Sequence, residues 1–227
     1  MLTKDKKIVI FGSGGHARSI LAEVLKDNEF KVLGFVDEVK SIGTFVESYN
    51  NVTYEVISSL SMLSNVIDEH TYGVIGVGLN FLRQKIANKV TNKYPNFKWA
   101  KIISQDSIIN GNVEIDDGTV IMSASIINTG TCIGKHCIIN TRTILEHDNK
   151  FADFTSTGSD VTTGGNVIVD YCSHIGLGSS INNNVKISEN TVIGSKSLCT
   201  KNCEANSIYT GSPAQKQKNR EHDESYL

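Results

Sequence analysis

The chain has 227 residues, 39% of them hydrophobic, which is enough for one large domain or two small ones. Lys and Arg number 22 against 24 Asp and Glu, so the net charge of −2 lacks the basic excess of a nucleic-acid protein. No apolar run approaches the roughly 18–20 residues of a membrane span, and the apolar stretch in MLTKDKKIVIF is too short for a secretory signal. Cys132, Cys137, Cys172, Cys199 and Cys203 form no CxxC pair and no Cys/His zinc spacing. An odd cysteine count without a leader predicts reduced thiols and a cytoplasmic location, with no metal site.

Residues 1–100 read as a small α/β unit. A strand over Lys7–Phe11 runs into Gly12-Ser13-Gly14-Gly15-His16-Ala17, and Ile20, Leu21, Val24 and Leu25 continue as a helix. A second strand, Val32–Val36, ends at Asp37. A third, Tyr72–Val77, ends in Gly78-Leu79-Asn80 before a helix over Phe81–Val90. Strand, glycine turn and helix in succession predict a parallel sheet with a helix N-terminus suited to phosphate. The spacing Gly12-x-Gly14-x-x-Ala17 with Asp37 downstream loosely matches a dinucleotide fingerprint. Only three or four strands precede the next region, however, and no second mononucleotide half is visible. A mononucleotide or nucleotide sugar therefore fits better than NAD, with Asp37 at the base or ribose and the glycine turn at the phosphates. The segment Ile42–Thr53 carries no readable pattern.

Residues 101–211 are a six-residue repeat. Stepping by six from Ile103 to Cys199 gives seventeen positions, of which fourteen are Ile, Leu, Val or Phe, with no insertion. Four residues after each lies a Ser, Thr, Val or Cys, the one exception being Asn149. A period of six fits neither a helix nor a heptad; it fits short strands joined by tight corners. Three hexads close a triangular coil, and five to six coils stack as a parallel β-helix. Asn110, Gly134, Asn140, Gly158, Gly164, Gly176, Asn182 and Gly194 fall at the corners, where positive φ is expected. Such a stack needs its ends covered, the first by the α/β domain and the second by the non-repeating tail, residues 212–227.

Both halves together resemble the bacterial sugar acetyltransferases that join an α/β domain to a left-handed β-helix. These include nucleotide-4-aminosugar N-acetyltransferases and NeuD-type sialic acid O-acetyltransferases. The resemblance spans nearly the whole chain and rests on IVIFGSGGHA (8–17), GFVDE (34–38), GVGLNFLRQKI (76–86), INTRTILEHDN (139–149), GGNV (164–167) and GSPAQ (211–215). It implies acetyl-CoA as cosubstrate, no metal, and a homotrimer with pantetheine in the groove between neighbouring subunits. It also implies nucleotide-sugar contacts at Gly14, Gly15, His16, Asp37, Glu38 and Gly78. His147 falls at the catalytic base, Asp148 at its acidic partner and Asn140 beside the reacting amine. Ser156, Leu177 and Ser195 fall at acetyl-CoA contacts. Ser156 departs from the pattern: N-acetyltransferase relatives carry a second histidine there, nine residues after the first.

The chemistry agrees with this reading. An attacking amine or alcohol must lose a proton, and histidine, with an ordinary pKa of about 6.5, can accept it near neutrality. His147 lies two residues past the inward Leu145 and need not enter the core. By sequence, Glu146 and Asp148 both qualify as the carboxylate that orients it; the resemblance selects Asp148. His136 and His174 read as surface or interface residues. His16 reads either as a lining residue of the nucleotide-sugar site or as a helix cap. Lys196, Lys201, Lys216, Lys218 and Arg220 are candidates for the CoA phosphates or for a solvated basic tail. The activity expected is transfer of acetyl to the 4-amino group of a UDP-, dTDP- or GDP-linked 4-amino-deoxysugar for a surface glycan. O-acetylation of a sialic or related nonulosonic acid is the alternative, and a non-catalytic sugar-nucleotide binder is a third reading.

Overall fold

The computed structural model describes residues 6–226; the first five residues of the expected α/β domain and the last residue of the expected tail lie outside the described residues. The first domain comprises β1 (Lys7–Phe11), α1 (Gly15–Asp27), β2 (Lys31–Val36), β3 (Phe45–Tyr49), β4 (Val52–Ser58), β5 (Thr71–Ile75), α2 (Asn80–Lys93) and β6 (Lys98–Trp99). Their order in the sheet is β3-β4-β2-β1-β5-β6, parallel except for the β3–β4 hairpin. Alternation along the central strand builds both layers. Ile8 and Ile10 pack with Ala17, Ile20, Leu21 and Val24 of α1, while Val9 and Phe11 pack with Ala87 and Val90 of α2. Two-sided burial explains why KIVIF is apolar throughout rather than alternating. The β3–β4 hairpin occupies the stretch that carried no readable pattern.

From Ile102–Ile103 to Leu198–Cys199 the chain forms seventeen two-residue strands, β7 to β23, one per hexad. Up to Ser180–Ile181, each pairs in parallel with the strand eighteen residues on, as in Val120↔Ile138 and Ile126↔Ile144. Three sheets result, the faces of a triangular prism. The sixth-position aliphatics, Ile121 through Ile193, form one buried column. The small residues four positions later also point inward. Their hydroxyls donate to carbonyls of the next coil, Thr119 to Gly134 O at 2.6 Å and Ser125 to Asn140 O at 3.0 Å. Asn149, the exception, is fully buried and satisfied: its amide donates to Glu146 O and Gly164 O and its carbonyl accepts from Val167 N.

Two expectations are corrected. Positive φ does not fall on the eight corner residues named above; it falls on Gly111 just after the first of them and two residues after the other seven, as on His136 and Arg142, with Ala124, Asp148 and Phe154 equivalent. The glycines at the expected corners serve close approach between coils instead. A Cβ on Gly158 would lie 2.6 Å from Leu177 N, and one on Gly176 2.6 Å from Ser195 N. Nor does the α/β domain cover the first end of the stack. It packs on the outer side of the first face, where Ala100, Ile102, Val120 and Met122 join the α1 cluster. Ile103 and Ile109 at the inward positions of the first coil stay 37% and 38% exposed.

At the other end, β24 (Ser207–Gly211) extends the first face in parallel and β25 (Ala214–Asn219) returns antiparallel to it. Tyr209 and Ala214 close over Cys199 and Cys203. The rest of the tail runs back to the α/β domain, where Asn80 N donates to the Tyr226 hydroxyl at 2.9 Å. The two ends of the stack should therefore respond differently to truncation of equivalent side chains. Ile139→Ala, in the enclosed column, should cost about 3 kcal/mol, and Ile109→Ala, at the open end, about 1 kcal/mol. Shifts in urea midpoint measure both; equal losses would mean that the first coil is as enclosed as the middle ones.

Candidate active site

A cavity of about 400 Å³ opens where the α/β domain meets the first face of the β-helix. His16 and Gly78 line it from the α/β side, and Asn140, Ser156, Leu177 and Ser195 from four successive coils. Thus six of the residues selected from the sequence share one space. A second cavity, of about 320 Å³, lies at the carboxyl ends of β1, β2 and β5 and takes in Gly12, Asp37 and Glu38. Between the two stands the N-terminus of α1. Gly14 caps it without a side-chain hydrogen bond, and a Cβ on Gly14 or Gly15 would meet nothing within 4 Å. The amides there are accessible for an anion. Close packing positions this turn: a Cβ on Gly76 would lie 2.5 Å from that of Ala17.

Asp37 is held at the end of β2 by its own loop. Its carboxylate accepts from Ser13 Oγ at 2.6 Å and from the amides of Val39 and Lys40 at 2.8 and 3.1 Å. Burial opposes its ionisation, but those three donors and the Lys40 charge hold its pKa below the ordinary value. Glu38 accepts from Leu60 N at 2.6 Å.

His147 and Asp148 line neither cavity. They occupy the corner between strands Ile144–Leu145 and Lys150–Phe151, whereas Asn140 lies at the preceding corner. The imidazole Nδ1 donates to Asp148 Oδ2 at 2.7 Å, with the side chains 59% and 63% exposed. That bond fixes the tautomer and leaves Nε2 with a lone pair. Asp148 takes the left-handed backbone of its corner, φ 60°. Room for the pair comes from glycines one coil away on either side. A Cβ on Gly165 would lie 2.6 Å from the His147 ring, and one on Gly130 would collide with the Asp148 carboxylate. Glu146, the other carboxylate that sequence allowed, instead accepts from Asn128 Nδ2 at 3.2 Å.

Four residues of the cavity and its back wall were not selected from the sequence: Asn80, Arg83, His174 and Tyr226. Arg83 is 1% exposed and, among the described residues, faces no carboxylate. Its guanidinium donates to the carbonyls of Val77 and Gly78 in its own domain, and to those of His136, Phe154 and Thr155 on the coils, at 2.7–3.2 Å. It also donates to Asn80 Oδ1 at 2.6 Å. His174, eighteen residues after Ser156 and thus one coil on, bonds Ser156 Oγ through Nδ1 at 2.8 Å and stacks on Tyr226 at 4.5 Å. The repeat itself contained that signal, because positions 156 and 174 are neighbours in any eighteen-residue coil.

Residues 7–90 match the family model of the PglD N-terminal domain. The whole architecture is similar to solved structures of three bacterial proteins. PerB from Caulobacter crescentus, in complex with CoA and GDP-perosamine, is 23% identical, with 93% of this chain and 97% of that chain covered and a TM-score of 0.82. The acetyltransferase domain of PglB from Neisseria gonorrhoeae FA1090, in complex with acetyl coenzyme A, is 20% identical over 93% and 99%, with a TM-score of 0.82. WeeI from Acinetobacter baumannii AYE is 19% identical over 93% and 100%, with a TM-score of 0.80. The fold is accordingly an α/β domain followed by a left-handed β-helix. Among the described residues no helix is long and apolar enough to cross a membrane, and no group of three or more His, Cys, Asp or Glu is placed to hold a metal ion.

His136 and His174, expected at the surface or an interface, are 5% and 8% exposed. His136 stacks on Phe154 at 5.1 Å and meets Trp99 edge-on, beneath the α/β domain. Burial pushes the His136 pKa down to about 4, with Arg83 and Lys135 adding to the effect. Burial and Arg83 likewise take His16 to about 4; burial, Arg83 and Arg220 take His174 to about 3. All three are neutral in the folded chain and become protonated on unfolding below about pH 6.5. The unfolded state then binds more protons, so stability is complete above that pH and falls as the pH drops towards 4. Between pH 7.5 and 5.5 urea denaturation should lose about 4 kcal/mol, near 1.4 kcal/mol per histidine. A flat profile would mean that these histidines titrate normally within the fold.

Proposed function

We propose that the chain is an acetyl-CoA-dependent N-acetyltransferase acting on the 4-amino group of a nucleotide-linked 4-amino-deoxysugar. The observation that carries this reading is the shared cavity: the α/β domain contributes His16 and Gly78, and the coils contribute Asn140, Ser156, Leu177 and Ser195. A ligand with a nucleotide at one end and a sugar amine at the other can run from the Asp37–Glu38 cavity past the amides of Gly14 and Gly15 into it. The structural neighbours add support, since PerB was solved with CoA and GDP-perosamine and the PglB domain with acetyl coenzyme A. The nucleotide is UDP, dTDP or GDP.

In this reading His147 is the base. Its Nε2 takes a proton from the sugar amine as the nitrogen attacks the thioester carbonyl carbon. Asp148 holds the Nδ1 proton and stabilises the imidazolium that forms. Collapse breaks the C–S bond; the imidazolium returns its proton to the leaving thiolate, giving the amide and free CoA thiol. Asn140 orients the amine, and Ser156, Leu177 and Ser195 hold the acyl donor along the coils. Because His147 and the cavity occupy different corners of the prism, the reaction is assigned to the boundary between protomers of a homotrimer. His147 of one protomer serves the cavity of the next.

CoA-thiol release tests the reading, with acetyl-CoA and a panel of UDP-, dTDP- and GDP-linked 4-amino sugars beside free and CMP-linked sialic acid. Release with one amino sugar is expected; release with the sialic acids alone would establish O-acetylation instead. His147→Ala should lower turnover about 100-fold or more while acetyl-CoA still binds. Unchanged turnover would remove His147 from the mechanism.

A further inference from the structure

The hydrogen bonds behind the cavity fix the position of every proton in one chain of side chains. The Asn80 amide nitrogen donates to Cys172 O and Ser173 O at 3.0 and 2.9 Å, which sets the amide orientation and turns Oδ1 towards Arg83 and Ser156. Oδ1 is an acceptor only; it takes one proton from Arg83 Nη2 and, at 2.8 Å, the hydroxyl proton of Ser156. Ser156 Oγ has then given its single proton and can only accept from His174 Nδ1. Nδ1 must therefore carry the imidazole hydrogen, and Nε2 must carry the lone pair. The only hydrogen bond of the ring among the described residues is the one at Nδ1, so Nε2 is without a partner there. The ring lines the cavity, with the lone pair on the ring nitrogen that Ser156 does not engage.

The ring is held rigidly in that state. Ser156 fixes its Nδ1 edge, and the Tyr226 ring lies against its face at 4.5 Å and 25°. Burial, Arg83 and Arg220 disfavour the imidazolium so strongly that His174 stays neutral throughout the physiological range. Around it the wall is largely apolar or glycine, with Ile138, Leu177, Val192 and Ile193. Backbone donors there are already committed to the next coil: Gly158 N to Ile175 O, His174 N to Thr191 O, Gly176 N to Ile193 O and Gly194 N to Tyr209 O. Ile175 and Ile193 carbonyls are likewise engaged by those bonds. A fixed side-chain acceptor in such a wall matches a ligand that is mostly apolar and carries an isolated N–H donor.

We propose that His174 is a positioning residue of the acyl-donor groove, whose Nε2 accepts a hydrogen bond from an amide N–H of the pantetheine arm. The inference rests on the acetyltransferase reading above and adds to it a residue that replaces nothing at His147. It also gives Ser156 a defined part: the hydroxyl sets the tautomer of the imidazole one coil on. The bond exists before and after acyl transfer, so its contribution is to binding of the donor rather than to the rate of the chemical step.

Two substitutions at His174 separate positioning from structure. His174→Asn keeps a donor towards Ser156 but removes the acceptor; His174→Gln brings a carbonyl oxygen to the place of Nε2. His174→Asn should raise both Kd (by calorimetry) and KM for acetyl-CoA about 3- to 10-fold, the worth of one hydrogen bond, with kcat within about 2-fold of the native value. His174→Gln should recover most of that loss. The native full chain provides a check that depends on no variant: acetyl-CoA with the pantetheine amides replaced one at a time by esters should bind weaker by the same factor at one of the two amides. His174→Asn should show no further loss with that analogue. Native binding of acetyl-CoA with no change in His174→Asn, or equal binding of both ester analogues and acetyl-CoA, would overturn the role of His174 and leave the acetyltransferase reading intact. If the native chain binds no acetyl-CoA, both fall together.

Discussion

A buried guanidinium that, among the described residues, meets only neutral acceptors is the constraint on which the arrangement of this molecule depends. Taking Arg83 out of water costs several kcal/mol, and only a full complement of acceptors makes that tolerable. The acceptors come from two domains: Val77 and Gly78 lie in the turn between β5 and α2, and His136, Phe154 and Thr155 belong to two coils of the β-helix. Sliding the domains past one another would strip carbonyls from a charge that cannot be neutralised by losing its proton. The bonds are charge-assisted and directional, so they specify orientation as well as contact. Because Gly78 is both an Arg83 acceptor and a cavity residue, the same clamp sets the width of the cavity.

The same charge also sets the electrostatics of the cavity wall. Burial lowers the basicity of His16, His136 and His174, and the Arg83 charge lowers it further in all three. A cation close to neutral imidazoles keeps them neutral, so they act as hydrogen-bonding groups of fixed polarity. His147 is built the opposite way: exposed, paired to Asp148, and remote from Arg83 on another corner. One chain thus holds two kinds of histidine, those beside a buried cation and one exposed and paired to a carboxylate. The difference follows from which side of the coil each residue faces and from what lies beneath it.

Much of this was legible because a hexad repeat is a geometric statement. Position 0 and position 4 of every hexad point inward, and Ile121, Ile139 and Thr143 did so wherever the pattern put them. The corner torsions were misread because Asn and Gly at the residue after each aliphatic resemble left-handed turn residues. Those glycines respond to the next coil's backbone, while His136, Arg142 and Phe154 accept the positive φ that the corner imposes. The β3–β4 hairpin had its own signal in Asn50-Asn51, both at positive φ as a tight hairpin turn requires, but the flanking Phe45–Tyr49 and Val52–Ser58 alternate too weakly to stand out. His174 was expected at the surface or an interface, and a residue just before an inward Ile does normally face out. What buries it is the returning tail, a tertiary contact between positions 174 and 226 that no local pattern encodes.

The separation of His147 from the cavity is itself a consequence of the fold. Strands of two residues, each bonded to the coil above and below, leave no hinge within the stack, and the hexad register admits no insertion that could turn one corner towards another. Moving His147 onto the face that bears Ser156 would require breaking ladders on two sheets at once. A β-helix of this type cannot close around a substrate as a two-domain enzyme does; its corners are permanent. In the proposed mechanism the base and the acyl donor are therefore united by apposition of copies, and the geometry of catalysis is set by packing between prisms. That places the burden of precision on surfaces already rigid in the isolated chain: the His147–Asp148 corner supported by Gly130 and Gly165, and the cavity wall locked by Arg83, Asn80 and Ser156.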